Sequence, residues 1–506
     1  MSAATVRERV AVFLLIAALT GPLVLGLGMT KGLSHDEHQH VAAGALIARE
    51  GLMPYRDFPH FHTPYLPFIY ALLFRATDHL LLAARLFSVL CATAMTAALG
   101  ALGYHLFRER GRRFAAGVAA GAVVLCLTAG LFGQTTGRAW NNEPALLFAL
   151  LAFVAHGAGL GRGKDGWFIA SGALLGLAIG TRLTFAPLVA PFGLTLLYST
   201  PSRRWQPRAM GSFSAGLFLG GAGLLILLAV APEQTLFGNF EFAKINVAYR
   251  FGSGEPRTMT LLKKLRYFFK EIVRREVPLF AAALVPLIAA HLATRGTVRR
   301  RRFELRFALL LLPFLLLGSF APSPLFPQYF FPCVPFLIVA GLYAFASIPP
   351  DTRWFRPALI AGAVCVGSSA ALGRHAFKHI DRFLTPSKWT PMKVHRDASK
   401  IRAEVPSGRV LTLAPIHPLE AGLSIYPPFG TGPFAWRVSA YVEAAKAGRL
   451  RMTTPATLPA LLAVNPPAAI LLGYESTESA LEEYAGSHGF RPLPLPGDRT
   501  LWVSDR

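Results

Sequence analysis

The chain has 506 residues, a formal net charge of +24, 53% hydrophobic residues and only 15% charged ones, with a mean hydropathy of +0.43. A soluble domain carries about a quarter charged residues, so an ordinary soluble protein is excluded, as are disorder and a fibrous repeat. Apolar runs close to the ~20 residues that cross a bilayer recur through the first three quarters of the sequence, which marks an all-α polytopic membrane protein.

The first run, Val10 to Leu27, follows Arg7 and Arg9 and is not followed by an A-x-A cleavage site. It is expected to be an uncleaved first span that starts in the cytoplasm. A polar stretch, Lys31 to His62, comes next, then Pro64 to Phe74, which is apolar but too short to cross and suits a re-entrant or interfacial piece. Further spans are expected at 79–107, 114–132, 143–160, 167–180, 183–199, 210–231, 277–294, 305–320, 329–347 and 355–373, about eleven in all.

Alternate loops divide by charge. Arg108, Arg110, Arg112 and Arg113, then Arg162 and Lys164, then Arg203, Arg204 and Arg208, then Arg295 and Arg299 to Arg302, and finally Arg353 and Arg356 fall on one side. The opposite loops hold little beyond Arg138 and Arg182. This asymmetry places the basic loops in the cytoplasm and accounts for the positive charge without nucleic acid. One external loop departs from it, 233–276, where Lys263, Arg266 and Lys270 share a helical face interleaved with Leu262, Tyr267, Phe268 and Phe269. That pattern fits a helix on the membrane surface, bound either to anionic lipid headgroups or to a lipid-borne phosphate.

After Arg374 the apolar runs stop. Strand-like runs (Arg409 to Ala414, Ala468 to Leu472, Thr500 to Val503) alternate with helix-like ones (Val438 to Ala447, Glu478 to Ser487). The expected division is therefore a membrane domain, 1–374, with external loop helices at 35–62 and 233–276, and a small external α/β domain, 375–506. Cys91, Cys126, Cys333 and Cys365 all lie inside apolar runs, so neither a disulfide framework nor a thiolate metal site is expected.

The first external loop concentrates reactive side chains in Ser34-His35-Asp36-Glu37-His38-Gln39-His40, opening a helix that runs to Arg49 and stops at Gly51. Carboxylates at a helix N-terminus are favoured in the ionised form, and one at the membrane interface suits a general base for a hydroxyl. Ser34 or Asp36 serving only as N-cap is the plainer alternative, but one cap does not require an Asp-Glu pair among three histidines. A metal reading also stands open: Asp36 and His40 are spaced i, i+4, with His60 and His62 available to complete a set, although the H-E-x-x-H pattern is absent.

Downstream come Gly51-x-x-Pro54-Tyr55-x-Asp57, His62-x-Pro64, Arg138-Ala-Trp140-Asn141-Asn142-Glu143-Pro144, Gly180-Thr181-Arg182 and Pro327-Gln328-Tyr329-Phe330. With the Asp-Glu pair just after the first span, these motifs resemble the GT-C membrane glycosyltransferases, in the branch that holds the protein O-mannosyltransferases and the bacterial lipid A aminoarabinose transferase. The likeness runs over residues 1–350. It implies sugar transfer from a polyprenyl-phosphate donor to an envelope lipid, glycan or protein acceptor at the external face of a membrane, the bacterial inner membrane on this reading, with the C-terminal domain periplasmic. It makes Asp36 the general base, Glu37 its positioning partner and Glu143 the second acid, with Asn141-Asn142-Glu143 standing where an Asp is commoner. Arg138, Arg182, Lys244 and Arg250 become the cations facing the lipid phosphate, Tyr55 and His62 orient a substrate or simply pack the loop, and Trp140 stacks on a sugar or is an ordinary interfacial Trp. No cofactor is required; a divalent metal is compatible. Direct attack by the base-activated hydroxyl inverts the anomeric centre. Two other classes fit the composition, a transporter or lipid flippase and a non-catalytic envelope assembly protein. Transport is disfavoured because the spans are almost free of Asp and Glu and the halves show no symmetry.

Overall fold

The computed structural model describes residues 3–198, 206–254, 260–294, 302–378 and 380–504. Of the basic positions that set the topology, Arg203, Arg204, Arg295 and Arg299 to Arg301 lie outside these. The first half runs α1 (Ala3–Thr30), α2 (His35–Glu50), α3 (Tyr65–Leu73), α4 (Leu80–Phe107), α5 (Arg112–Thr128), α6 (Gly130–Thr135), α7 (Asn142–Arg162), α8 (Asp165–Thr181), α9 (Val189–Tyr198) and α10 (Pro207–Val230). Then come α11 (Pro232–Leu236), α12 (Phe242–Gly252), α13 (Leu261–Tyr267), α14 (Val277–Thr294), α15 (Arg302–Phe320), α16 (Cys333–Ala346) and α17 (Phe355–Gly373).

Nine of the eleven expected spans coincide with a single one of these helices. Arg7–Thr30, Leu80–Arg110, Asn142–Arg162, Pro207–Val230, Phe303–Phe320 and Phe355–Gly373 are long and apolar enough to cross a bilayer unaided. A seventh, Leu261–Val273 with Val277–Ala293, passes only as a pair bent by 89°. Asp165–Thr181, Leu183–Leu197 and Cys333–Ala346 are shorter apolar helices. The chain is thus a multi-pass membrane protein. Two expected spans are irregular. The one at 114–132 breaks at Ala129 between α5 and α6, and the one at 183–199 opens as a 3-10 turn, Leu183–Leu188, around Pro187.

Glycine spacing explains the closest helix pair. On α8, a Cβ added at Gly172 would sit 2.0 Å from Phe213 O; on α10, one at Gly216 would meet Ile169 O at 2.0 Å and one at Gly220 would meet Ala173 O at 2.1 Å. Gly172-x-x-x-Gly176-x-x-x-Gly180 against Gly216-x-x-x-Gly220 therefore brings two backbones into direct contact, the small-residue packing by which helices associate in lipid. Gly180 receives the ring of Tyr65 the same way, its added Cβ 2.2 Å from that ring, and Tyr65 Oη donates to Gly220 O at 2.8 Å. This pins α3 beside the α8–α10 pair.

The basic and aromatic stretch of the 233–276 loop is helical in α13, continued by a wide π turn over Phe268–Val273. Lys263, Arg266 and Lys270 are exposed as expected, and so are Leu262 and Phe269, whereas Tyr267 and Phe268 pack inward. Lys264 turns the other way: its Nζ donates to Phe320 O at 2.7 Å and Pro322 O at 2.8 Å, tying α13 to the end of α15.

The C-terminal domain holds α18 (Thr390–Glu404), β1 (Arg409–Thr412), α19 (Ile416–Glu420), β2 (Ser424–Ile425), α20 (Pro433–Ser439), α21 (Ala444–Arg449), α22 (Leu458–Val464), β3 (Ala469–Leu472), α23 (Ser479–Ser487), β4 (Phe490–Leu495) and β5 (Arg499–Ser504). Its sheet has the order β2-β1-β3-β5-β4, with β1 parallel to β2 and β3 and β5 antiparallel to β3 and β4. The stretch Val438 to Ala447 is two short helices, not one, interrupted at 440–443. Where the domain meets the membrane domain, Glu420 accepts from Leu81 N at 2.6 Å, Arg49 donates to Leu419 O at 2.6 Å, and His35 pairs with Glu475.

Candidate functional site

The first loop is built on α2. Ser34 caps the helix with extended backbone, Glu37 reaches back to Ser34 N at 2.9 Å, and Gly51 closes the far end with φ 68°. This is a capping box, and Glu37 is its N3 residue. The same carboxylate accepts two parallel bonds from Arg85 of α4, 2.8 Å from Nε and 2.7 Å from Nη2, and a fourth from Ala139 N at 2.8 Å. A carboxylate offers about four acceptor positions, so Glu37 is saturated. Both partners of the ion pair are fully buried. Arg85 also donates to the carbonyls of Gly28, Lys31 and Gly32, gathering the end of α1 and the start of α2 on one guanidinium, while the loop before α7 is tied to the Glu37 carboxylate through Ala139 N.

Asp36 stands one residue earlier on the helix, half-buried, and among the described residues it makes no hydrogen bond or ion pair. Burial pushes its carboxyl above the ordinary value, and the charges of Arg138 and Arg250 pull it back. Arg138 stacks over the Trp140 ring at 4.9 Å, and Arg250 lies 5.3 Å from the Phe326 ring. Arg182 is held by Thr184 Oγ1 at 3.0 Å and Asn141 Oδ1 at 3.4 Å, with its guanidinium 5.7 Å from the Tyr329 ring. Tyr329 feels burial first and then the Asp36 charge, which together push its phenol up to about 12. Asp36, Arg138, Arg182, Arg250 and Tyr329 thus come from five separate segments to act on one another electrostatically.

Glu143 sits in the first turn of α7, fully buried; Oε1 accepts from Gly137 N at 2.9 Å, while Oε2 has no partner. Across from it, Lys31 donates to the carbonyls of Gln134 and Thr136. Burial, reinforced by Arg138, holds the Lys31 ammonium well below its usual value, with Glu143 opposing.

Other expected site residues have different situations. Tyr55 is fully buried with φ 68°, donates to His62 O and accepts from Asn239 Nδ2 at 3.1 Å. Asp57 accepts from Met53 N at 2.8 Å and pairs with Arg56. Gly-x-x-Pro-Tyr-x-Asp is therefore a self-bonded turn, and Tyr55 packs that loop. Lys244 lies on the exposed side of α12 and, among the described residues, makes no hydrogen bond or ion pair; the structure does not gather it with Asp36. Trp140 is buried with Nε1 unpartnered.

The expected metal set does not close. His62 stacks on His40 with centroids 5.2 Å apart, and His60 lies edge-on to His40 at 6.4 Å. Burial, followed by the charge of Arg182, pushes His62 down to about 4, and burial takes His60 down to about 3. Among the described residues, three ligand atoms come within 4.8 Å of one another only at His79, His395 and Glu420.

Sequence reasoning missed Arg85, Lys31, Tyr329 as an Arg182 partner, and Glu475. Arg85 carried a signal, as a lone cation inside an apolar span implies a buried partner. Glu475, contributed from beyond β3, had none.

Residues 61–233 match the family model described as dolichyl-phosphate-mannose-protein mannosyltransferase. The solved structure of ArnT from Cupriavidus metallidurans bound to undecaprenyl phosphate is 14% identical, covers 99% of this chain and 98% of its own, and superposes with a TM-score of 0.58. The apo oligosaccharyltransferase of Archaeoglobus fulgidus is 10% identical, covering 98% of this chain and 74% of its own at a TM-score of 0.51. No curated protein matches the chain.

Proposed function

We infer, from a chain that has the fold of the GT-C membrane glycosyltransferases, that it moves a sugar from a polyprenyl-phosphate donor to an acceptor hydroxyl at the external face of the membrane. The observation that carries this reading is the unequal state of three carboxylates: Glu37 is saturated, Glu143 is buried on a backbone amide, and Asp36 alone is unbonded beside a cluster of arginines. The undecaprenyl phosphate bound to ArnT supports a lipid-phosphate donor, and the basic loops support the external face.

In the proposed step the acceptor O–H gives its proton to the Asp36 carboxylate, and the oxygen attacks the anomeric carbon. The bond from that carbon to the phosphate oxygen breaks, and polyprenyl phosphate leaves with the electron pair. Arg138, Arg182 and Arg250 stabilise the charge that gathers on the phosphate, most effectively because they are already oriented. Among the described residues Glu143, the other acid near the site, is fully buried with one oxygen on Gly137 N, and a single displacement without a covalent carboxylate nucleophile inverts the centre. Glu37 positions Asp36 through Arg85 and the capping box. Glu143 sets the field around Lys31, and Lys244 contacts the membrane surface. Eleven spans starting in the cytoplasm leave the C-terminal domain on the same external side as Asp36.

The test is turnover of a panel of polyprenyl-phosphate sugars by the full chain in proteoliposomes with a membrane extract as acceptor, with and without chelator. Release of free polyprenyl phosphate with an inverted product anomer is expected. A retained anomer, or no turnover of any donor by folded protein, contradicts the reading. Release that stops in chelator assigns a metal to the step.

A further inference from the structure

Where the C-terminal domain meets the start of α4, three side chains from distant parts of the chain converge. His79 stands just before α4 with no capping bond from its side chain, His395 projects from α18 and Glu420 ends α19. One ligand atom from each lies within 4.8 Å of the other two. His395 Nδ1 is 2.9 Å from Glu420 Oε2, and the two imidazole rings lie 3.8 Å apart, tilted by 35°. Neighbouring ligand atoms on a tetrahedral zinc with bonds of about 2.0–2.1 Å stand about 3.3 Å apart, so these side chains close on an ion with small movements.

Two features of the surroundings suit a ligand set better than a chance ion pair. The His79 Nδ1 atom is buried and has no hydrogen-bond partner, although a buried ring nitrogen ordinarily finds one. Glu420 is 4% exposed and its other oxygen is fixed by Leu81 N at 2.6 Å, the kind of outer bond that orients a ligating carboxylate. His395 keeps 27% of its side chain exposed, leaving room for water as a fourth ligand.

We propose that His79, His395 and Glu420 bind a divalent cation of the zinc type and that this ion clamps the C-terminal domain onto the membrane domain. Two imidazoles with one carboxylate favour zinc over the hard cations, which prefer all-oxygen sets. The site is separate from the Asp36 cluster and does not rest on the glycosyltransferase reading. Its ligands come from both domains, so binding the ion links them as a cross-link would.

The experiment strips metal from the full chain in detergent, equilibrates it with zinc alone, removes free ion and measures zinc by mass spectrometry. Wild type is expected to retain one zinc per chain, and His79→Ala and His395→Ala to lose it, while His62→Ala, in the other histidine cluster, keeps it. Zinc should also slow protease cleavage between α17 and α18 in wild type, an effect reversed by chelator and absent in the two variants. Cobalt substitution in wild type gives a check that needs no variant: strong visible absorption of a four- or five-coordinate ion is expected. No stoichiometric zinc in wild type, zinc undiminished in both variants, zinc lost in His62→Ala alone, or octahedral cobalt would each overturn the proposal.

Discussion

Asp36 and Glu37 are adjacent, yet they end in opposite circumstances because an α-helix turns about 100° per residue. Glu37 faces the bundle and is locked by Arg85 and two backbone amides, whereas Asp36 faces the loops that bring Arg138 and Arg250. Breaking a buried ion pair from one side leaves an uncompensated charge and costs about 3–5 kcal/mol. Arg85→Leu is therefore expected to lower the thermal unfolding temperature in detergent sharply, while Glu37→Gln with Arg85→Leu recovers part of the loss; equal losses in single and double variants would contradict this coupling. The pH dependence follows from Asp36. Its carboxyl is raised by burial, and a base works only when ionised, so kcat/KM falls as pH drops through that raised value and levels off above it. Arg138 holds the value down, so Arg138→Gln should move the acid limb to higher pH. An unmoved limb in that variant would show that another group titrates.

At the scale of elements, the α8–α10 contact carries the membrane domain's tightest packing. A side chain at Gly216 or Gly220 collides with the backbone of the facing helix, not with a movable side chain. Overpacking of this kind costs about 1–3 kcal/mol or more, so Gly216→Leu should reduce the yield of monodisperse protein and its unfolding temperature, while the same change at exposed Gly211 does neither; matching behaviour of the two would refute the contact. These glycines form a GxxxG pattern in the sequence that the reading of spans passed over, as it passed over Arg85, a charge inside a span. The span positions were legible because bilayer thickness dictates run length. Other elements were not. In β4, Pro492 and Pro494 argue against a strand, and they are tolerated because β4 is a sheet edge. The Val438 to Ala447 stretch has helical composition but breaks at 440–443, where the chain turns between α20 and α21. Lys244 and Arg250 share α12, and only the three-dimensional course of that helix separates an exposed cation from one whose charge reaches Asp36.

For the whole molecule, the C-terminal domain completes the site's surroundings. Glu475, 3% exposed at its side chain, binds both His35, the neighbour of Asp36, and Arg437 of α20. Hydrogen bonds to a buried charge are worth about 1.5–3 kcal/mol, and each 1.4 kcal/mol is tenfold in an equilibrium. Glu475→Ala should therefore raise the rate of protease cleavage between the two domains by roughly tenfold or more; an unchanged rate would mean that this contact does not hold the domain in place. The central claim is that, of all the carboxylates around the site, Asp36 is the one that takes the proton. The most direct test is sugar transfer by reconstituted wild type, Asp36→Asn and Glu143→Gln, compared side by side with protein shown to be folded. Loss of a general base costs about 10²–10⁴-fold, which is the expected fall in kcat for Asp36→Asn. Glu143→Gln keeps an acceptor for Gly137 N and should stay within about tenfold of wild type. Full activity in Asp36→Asn, or the larger loss in Glu143→Gln, would contradict the account.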